Sequence, residues 1–166
     1  MRRVGIGIIG CGNISGAYLS AARAFPILDI RALADLDAHA ARARSGEFGH
    51  PAVDVATLLA DPAIEIVVNL TLPRSHVEVG LRALAAGKHV HSEKPLGTTL
   101  TDGQRLVQRA QQLRLRLGSA PDTFLSGAQQ TCRKLIDEGA IGQPVAGSAF
   151  FKIGRASCRE RVCMLV

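Results

Sequence analysis

Short apolar runs alternate with stretches of helical periodicity along most of the chain. Five runs have the length and composition of buried β-strands, at residues 4–10, 28–35, 64–71, 88–92 and 115–120. The segments between them repeat their apolar residues with the period of an amphipathic helix. This order predicts an α/β fold with a doubly wound parallel sheet, in which ligands bind beyond the carboxyl ends of the strands.

Capping signals and glycines predict where several helices begin and end. Ser75 with Glu78, and Thr101 with Gln104, have the spacing of capping boxes and therefore predict two helix starts. Gly87 supplies the stop for the first of these helices. Two more helices are predicted, within residues 53–62 and 124–139.

The composition of the chain indicates an ordinary folded domain. Its 166 residues are 47% hydrophobic, which is enough for a core, and the apolar runs are far shorter than a bilayer span. No signal-peptide cleavage pattern follows the first residues, so we expect a cytoplasmic location and no membrane partner. The four cysteines show no CxxC motif and no pairing with histidine, which favours a reduced compartment and no metal site.

The net charge of +6 is concentrated at the carboxyl end of the chain. Residues 152–166 carry half of it, and the chain has one tyrosine and no tryptophan for base stacking, so we expect no nucleic-acid partner. The string "IGRASCRERV" in this segment resembles the translation of a common sequencing adapter. We interpret residues 152–166 as a non-native tail; the alternative is a genuine basic tail.

A glycine-rich turn follows the first predicted strand. Gly10 and Gly12 lie between that strand and a helix predicted to begin near Asn13, as in the dinucleotide-binding turn of the Rossmann fold. Glycines there let the backbone approach a pyrophosphate, whose charge meets amide donors and the positive end of the helix dipole. The alternative is a plain tight turn. The predicted cofactor contacts in this turn are Gly10, Cys11, Gly12, Asn13 and Ile14.

An acidic residue at the end of the second predicted strand favours NAD over NADP. Asp35 is placed to accept hydrogen bonds from the ribose hydroxyls, and its charge would repel a 2′-phosphate. No arginine lies beside it in the segment "ADLDAH". The alternative is that Asp35 or Asp37 only caps the next helix.

The fourth predicted strand ends in the sequence Glu93-Lys94-Pro95. In this topology the corner lies on the same edge of the sheet as the glycine turn, so Glu93 and Lys94 are expected to face the nicotinamide end of a cofactor. Pro95 excludes helix at Lys94 and is compatible with a cis peptide bond. A lysine ammonium can bind a substrate oxygen and stabilise developing negative charge. The alternative is a surface salt bridge.

The histidines do not form a metal-binding pattern. His76 stands at a helix start with no second ligand nearby, so we expect a solvated first-turn residue rather than a metal ligand. His89 and His91 alternate along a strand and therefore share one face, which favours packing.

The motifs "GIIGCGNIS", "NLTLPRSH", "LAAGKHVHSEKPLG" and "GAIGQPV" together resemble the family of glucose-fructose oxidoreductase, inositol dehydrogenase and MocA, from about residue 3 to residue 151. The resemblance places Lys94 beside nicotinamide and substrate as the catalytic lysine, and Glu93 as the cofactor-side acid. It also implies that Thr71, Leu72 and His76 line the cofactor, although Leu72 displaces the usual proline of that motif by one place.

The same resemblance implies the domain organisation. Residues 1–121 correspond to the NAD(P)-binding Rossmann domain. Residues 122–151 correspond to a connecting helix and the first strand of a second α+β domain, and the fold is expected to be truncated before the rest of that domain. In this family the second domain supplies the acid/base residue, most substrate contacts and much of the subunit interface, so the parent protein is expected to be a homo-oligomer. A subgroup pattern, Ala-Pro-Asp, places Asp122 near the nicotinamide edge.

These observations predict the cofactor-binding part of an NAD(P)-dependent oxidoreductase that acts on a secondary alcohol of a sugar or polyol such as a cyclitol. The chain alone is expected to bind a dinucleotide weakly or not at all and to be inactive. One alternative is a non-catalytic dinucleotide-binding or sensing module, which would have no need of Lys94. Another is a different dehydrogenase family such as the dihydrodipicolinate reductases, which lack the Glu-Lys-Pro corner.

Overall fold

The computed structural model describes residues 2–121 and 123–148 and contains a parallel five-stranded sheet in the order β2-β1-β3-β4-β5. The predicted doubly wound sheet is confirmed, and the predicted strand ends are within two residues of the observed ones. The strands are β1 (Val4–Ile9), β2 (Leu28–Ala34), β3 (Ile66–Asn69), β4 (His89–Ser92) and β5 (Leu117–Ser119).

Helices cover both faces of this sheet. One apolar cluster contains Leu19 of α1 and Ala41 of α2, and the other contains side chains of α3, α4 and α5. The helix that connects β1 to β2 lies on one side of the sheet, and the helices that follow β3 lie on the other side. The winding direction therefore changes between β1 and β3. The helices are α1 (Ser15–Ala22), α2 (Ala38–Phe48), α3 (Val55–Ala60), α4 (His76–Ala85), α5 (Leu100–Gln112) and α6 (Gly127–Asp137).

Both predicted capping boxes are wrong. Ser75 makes no capping hydrogen bond, because a 3-10 turn (Pro73–Ser75) runs directly into α4 and leaves Ser75 with a helical rather than an extended backbone. Helix α5 is capped by Thr99 instead of Thr101: the Thr99 hydroxyl accepts from the amide of Asp102 at 3.1 Å. The predicted stop at Gly87 is confirmed, since this residue has φ of +76° just after α4.

The chain divides into two compact units at Pro121. In the second unit, a 3-10 turn (Thr123–Leu125) precedes α6, which Ser126 caps by accepting from the amide of Gln129. Residues 144–148 have no regular secondary structure. The rest of the predicted strand at 145–151, the candidate Asp122 and the tail 152–166 lie outside the described residues. Among the residues described, no helix is long and apolar enough to cross a membrane.

We expect Leu84→Ala to lower the free energy of unfolding by about 2–4 kcal/mol, because this α4 side chain is fully buried between helix and sheet and its removal leaves a cavity. Leu100→Ala is the matched control: this leucine also lies in a helix but is 78% exposed, so the change should stay within about 0.5 kcal/mol. Urea denaturation followed by circular dichroism measures both. Equal losses would contradict the core described here.

Candidate functional site

A cavity of about 370 Å³ opens at the carboxyl ends of β1, β2 and β3, where the winding direction of the sheet changes. This is the position at which open α/β sheets bind ligands. A larger groove of about 630 Å³ lies beside the start of α5, but no titratable side chain lines it and it offers little chemistry. The polar and charged residues that line the first cavity include Asp35, Asp37, Thr71, Arg74, Ser75, Glu78 and Arg82.

The two glycines of the turn have different structural roles. Gly10 has φ of +106°, and a Cβ atom there would lie 2.5 Å from the carbonyl carbon of Leu70 and 2.7 Å from the amide nitrogen of Thr71. Gly10 is therefore required by packing between the ends of β1 and β3. A Cβ atom on Gly12 would meet nothing within 4 Å, so this position borders the open cavity. The open space beside Gly12 lets a bound group approach the backbone.

The turn presents unpartnered amides. Among the described residues, the structure gives no hydrogen-bond partner to the backbone N–H groups of Gly12, Asn13 and Ile14. They precede α1, which begins at Ser15, two residues later than predicted. Ser15 is buried and its hydroxyl donates to the carbonyl of Gly12 at 2.6 Å, so the non-glycine third position of the motif is satisfied within the turn. Free amides at a helix start fit the pyrophosphate of a dinucleotide.

The acid at the end of β2 is held beside the turn. One carboxylate oxygen of Asp35 accepts from the amide of Cys11 at 2.7 Å, and the other accepts from the amide of Asp37 at 2.9 Å. Asp37, not Asp35, caps α2 by accepting from the amide of His39. Because a carboxylate has about four acceptor sites, Asp35 keeps capacity for two further hydroxyl donors. Its predicted role as a ribose-binding acid stays a prediction.

Cys11 is buried behind the turn rather than exposed to the cavity. Burial, together with the negative charge of Asp35, raises the pKa of this thiol to about 11, while Arg44 acts in the opposite direction. The thiol is thus protonated and unreactive at neutral pH. The backbone amide of Cys11 donates to Asp35 and its side chain does not line the cavity, so its predicted contact with the cofactor stays a prediction.

Two arginines line the same cavity as Asp35, and sequence reasoning missed them. They are Arg74 and Arg82, and neither guanidinium forms an ion pair with a described carboxylate. The absence of arginine beside Asp35 therefore holds only for the local segment of the sequence. Arg82 lies in α4 four residues after Glu78, whereas Arg74 lies in the 3-10 turn before that helix, so helical spacing could have pointed only to Arg82.

His76 is not the solvated first-turn residue that the sequence suggested. It is only 1% exposed, with Nδ1 at 2.6 Å from the carbonyl oxygen of Pro95 and Nε2 at 2.9 Å from that of Thr71. The buried Asn69 amide group also donates to the carbonyl of His76. The imidazole does not line the cavity, so its predicted place along the cofactor remains a prediction. What the structure shows is a bridge between the cavity wall at Thr71 and the corner at Pro95.

The corner after β4 is anchored through Glu93. One of its carboxylate oxygens accepts from the Tyr18 hydroxyl at 3.0 Å, and the other accepts from the amide of Lys94 at 2.9 Å. Sequence reasoning missed Tyr18, because it lies in α1, 75 residues away. Lys94 is exposed, is joined to Pro95 by a cis peptide bond and has no described carboxylate within ion-pair distance. It lies at the predicted edge of the sheet but does not line the 370 Å³ cavity.

Comparison with known proteins matches residues 4–120 to the family described as "Oxidoreductase family, NAD-binding Rossmann fold", the GFO_IDH_MocA family. The chain belongs to this family. The predicted resemblance is confirmed, and the alternative of a dihydrodipicolinate reductase is set aside.

The segments matched to individual relatives make up most of this chain but less than half of each relative. A 1,5-anhydro-D-fructose reductase from Ensifer adhaerens is 35% identical over 69% of this chain and 34% of its own length. An inositol 2-dehydrogenase from Salmonella typhimurium is 32% identical over 86% of this chain and 42% of its own. A 3-ketoreductase from Actinomadura kijaniata, solved with NADP and TDP-benzene, has a TM-score of 0.76 at 31% identity, over 83% and 43%. The chain thus spans well under half the length of these relatives.

The two glycines provide a matched test of the turn. Gly10→Ala should lower the free energy of unfolding by at least about 2 kcal/mol, because the new methyl group collides with backbone at a positive φ. Gly12→Ala should change it by no more than about 0.5 kcal/mol, because its methyl group enters open space. Urea unfolding curves of both variants check this, and a Gly12→Ala loss as large as that of Gly10→Ala would contradict the cavity.

Proposed function

We propose that this chain is the cofactor-binding part of an NAD(P)-dependent oxidoreductase that acts on a secondary alcohol of a sugar or cyclitol. The observation that carries the proposal is the set of unpartnered amides at Gly12, Asn13 and Ile14, beside a cavity that Asp35 also lines. The sugar or cyclitol class is supported by the relatives, which are named as a reductase of an anhydro-sugar and a dehydrogenase of inositol.

The residues of the cavity fit the parts of a dinucleotide. The free amides would hold the pyrophosphate at the positive end of α1, and the spare acceptor sites of Asp35 would bind the ribose hydroxyls. The apolar side chains of Val55, Leu72 and Val79 in the same cavity would contact the adenine. When bound, the nicotinamide ring accepts or supplies the hydride.

Lys94 is proposed as the catalytic residue of this part of the protein. Its ammonium would donate to the substrate oxygen and stabilise the negative charge that develops there as the carbon is oxidised. The anchoring of Glu93 by Tyr18 supports this role, because it fixes the backbone from which Lys94 projects. We propose that a second domain, in the length by which the relatives exceed this chain, supplies the proton acceptor, the remaining substrate contacts and the contacts between subunits.

We propose a preference for NAD that is set by Asp35. Its carboxylate would repel a 2′-phosphate at the ribose, while Arg74 and Arg82, which line the same cavity, would attract one. Asp35 is hydrogen-bonded to the turn through the amide of Cys11, whereas neither arginine forms an ion pair with a described carboxylate. We therefore propose that the charge of Asp35 outweighs the charges of the arginines, which solvent screens.

An NMR titration tests the cofactor site and its preference. Amide signals of Gly12, Asn13 and Ile14 in a ¹⁵N-labelled protein of the relatives' length that contains this sequence should shift with NAD, with weaker binding of NADP. Asp35→Asn should weaken NAD binding about tenfold and reduce the preference for NAD, because a charge and an acceptor are lost. Asp29→Asn removes the same charge at the far end of β2 and should change neither affinity. No shift of these signals with millimolar dinucleotide would contradict the proposed site.

The role of Lys94 is tested in a protein of the relatives' length that contains this sequence. Lys94→Met should lower kcat for the sugar or inositol substrate by about 100-fold or more, while NAD affinity stays within twofold. Lys134→Met is the control, since this exposed lysine only pairs with Glu138 on the surface of α6. Full activity without the Lys94 ammonium would refute its catalytic role. A protein that binds NAD but oxidises or reduces no sugar or polyol would support the alternative of a non-catalytic sensing module.

A further inference from the structure

A single arginine of α2 contacts the glycine turn from behind. Arg44 donates through Nη2 to the carbonyl oxygen of Gly12 at 3.2 Å and through Nε to the hydroxyl oxygen of Ser15 at 3.1 Å. A third nitrogen, Nη1, pairs with Glu47 on the next turn of α2. The side chain is only 22% exposed, so it is packed against the turn rather than extended into solvent.

These bonds fix the orientation of one peptide plane. The carbonyl of Gly12 also accepts from the Ser15 hydroxyl and the Ser15 amide, so it is held on the side of α1 and α2. In a trans peptide the carbonyl and the following N–H point in opposite directions. The bond to Arg44 therefore directs the N–H of Asn13 away from the guanidinium, and this N–H is one of the unpartnered amides.

The guanidinium also contributes charge at this place. Arginine stays protonated at any pH that the fold tolerates, and its partial burial reduces the screening of its charge by water. It lies beside the start of α1, where the helix dipole is already positive. The guanidinium also opposes the rise in the pKa of the Cys11 thiol that burial and Asp35 cause.

We propose that Arg44 is a positioning residue for the pyrophosphate of the dinucleotide: it clamps the carbonyl side of the glycine turn, so that the amide side is preset toward the ligand. This inference rests on the proposed function and adds to it Arg44, a residue that does not line the cavity. We expect Arg44 to affect the binding of any nucleotide that carries a diphosphate and to have no effect on the binding of a ligand without phosphate.

The test compares Arg44→Gln with Arg42→Gln, which removes an equal charge from an exposed position on the same helix. NMR titrations of the labelled protein of the relatives' length that contains this sequence use ADP-ribose, which carries the diphosphate, and adenosine, which does not. Arg44→Gln should weaken ADP-ribose binding about tenfold, as expected for the loss of charge-assisted bonds that order the turn. Adenosine binding should stay within about twofold, and Arg42→Gln should stay within about twofold for both ligands.

A spectroscopic signature separates positioning from a general loss of structure. In the ligand-free chain, the Asn13 amide signal should move in Arg44→Gln but not in Arg42→Gln, while signals of β4 and β5 stay in place. If Arg44→Gln does not fold, Arg44→Lys carries the test: lysine keeps the charge but cannot reach both oxygens with a planar fork, so ADP-ribose binding should weaken about threefold.

The outcomes distinguish this inference from the proposed function. If the unchanged chain shows no response to ADP-ribose, the dinucleotide site itself is wrong. If the unchanged chain binds ADP-ribose and Arg44→Gln binds it as well as Arg42→Gln does, the site stands and the role of Arg44 is overturned. Equal weakening of ADP-ribose and adenosine in Arg44→Gln would also overturn it, because that pattern indicates a damaged fold.

Discussion

The close approach of Gly10 to the backbone at the end of β3 sets the geometry of the whole site. β1 and β3 are paired up to Ile9 and Asn69, and the amide of Leu70 still donates to the carbonyl of Ile9. Beyond this point the chain continues into α1 on one face of the sheet and into α4 on the other. Only a residue without a side chain fits between them at this point. This separation forms the cavity at the carboxyl ends of the strands, and the glycine turn borders the cavity. The cavity is therefore a consequence of how a doubly wound sheet changes direction.

The polar groups around the cavity form hydrogen bonds with the backbone of the glycine turn. Asp35 binds the amide of Cys11, and Ser15 and Arg44 bind the carbonyl of Gly12. These bonds leave the amides of Gly12, Asn13 and Ile14 without a partner among the described residues. All three residues are exposed, so water can bind these amides until an anion replaces it. The same bonds make the turn rigid, which lowers the entropy cost of binding.

A second group of contacts ties the turn side of the site to the corner that carries Lys94. Tyr18 reaches from α1 to Glu93, and the His76 ring lies between the carbonyls of Thr71 and Pro95. The cofactor cavity and the lysine thus share a support although they are separate in sequence. Because both contacts involve buried or half-buried side chains, a change at either contact should affect both the cavity and the corner that carries Lys94. This arrangement suits chemistry in which a bound cofactor and a side chain must meet at one substrate carbon.

The sequence by itself determined the order of strands and helices, the glycine turn, the acid after β2, the stop at Gly87 and the family. These follow from periodicity, from glycine where φ is positive, and from motifs that are contiguous in the chain. Tertiary structure decided the rest: Arg44 against Gly12, Tyr18 against Glu93, the burial of His76, and Arg74 and Arg82 in the same cavity as Asp35. The cap at Thr99, and the lack of a side-chain cap at Ser75, also depended on the local path of the backbone. Contacts between side chains distant in sequence arise only when packed helices meet the sheet edge, and no local pattern encodes which of several arginines will arrive there.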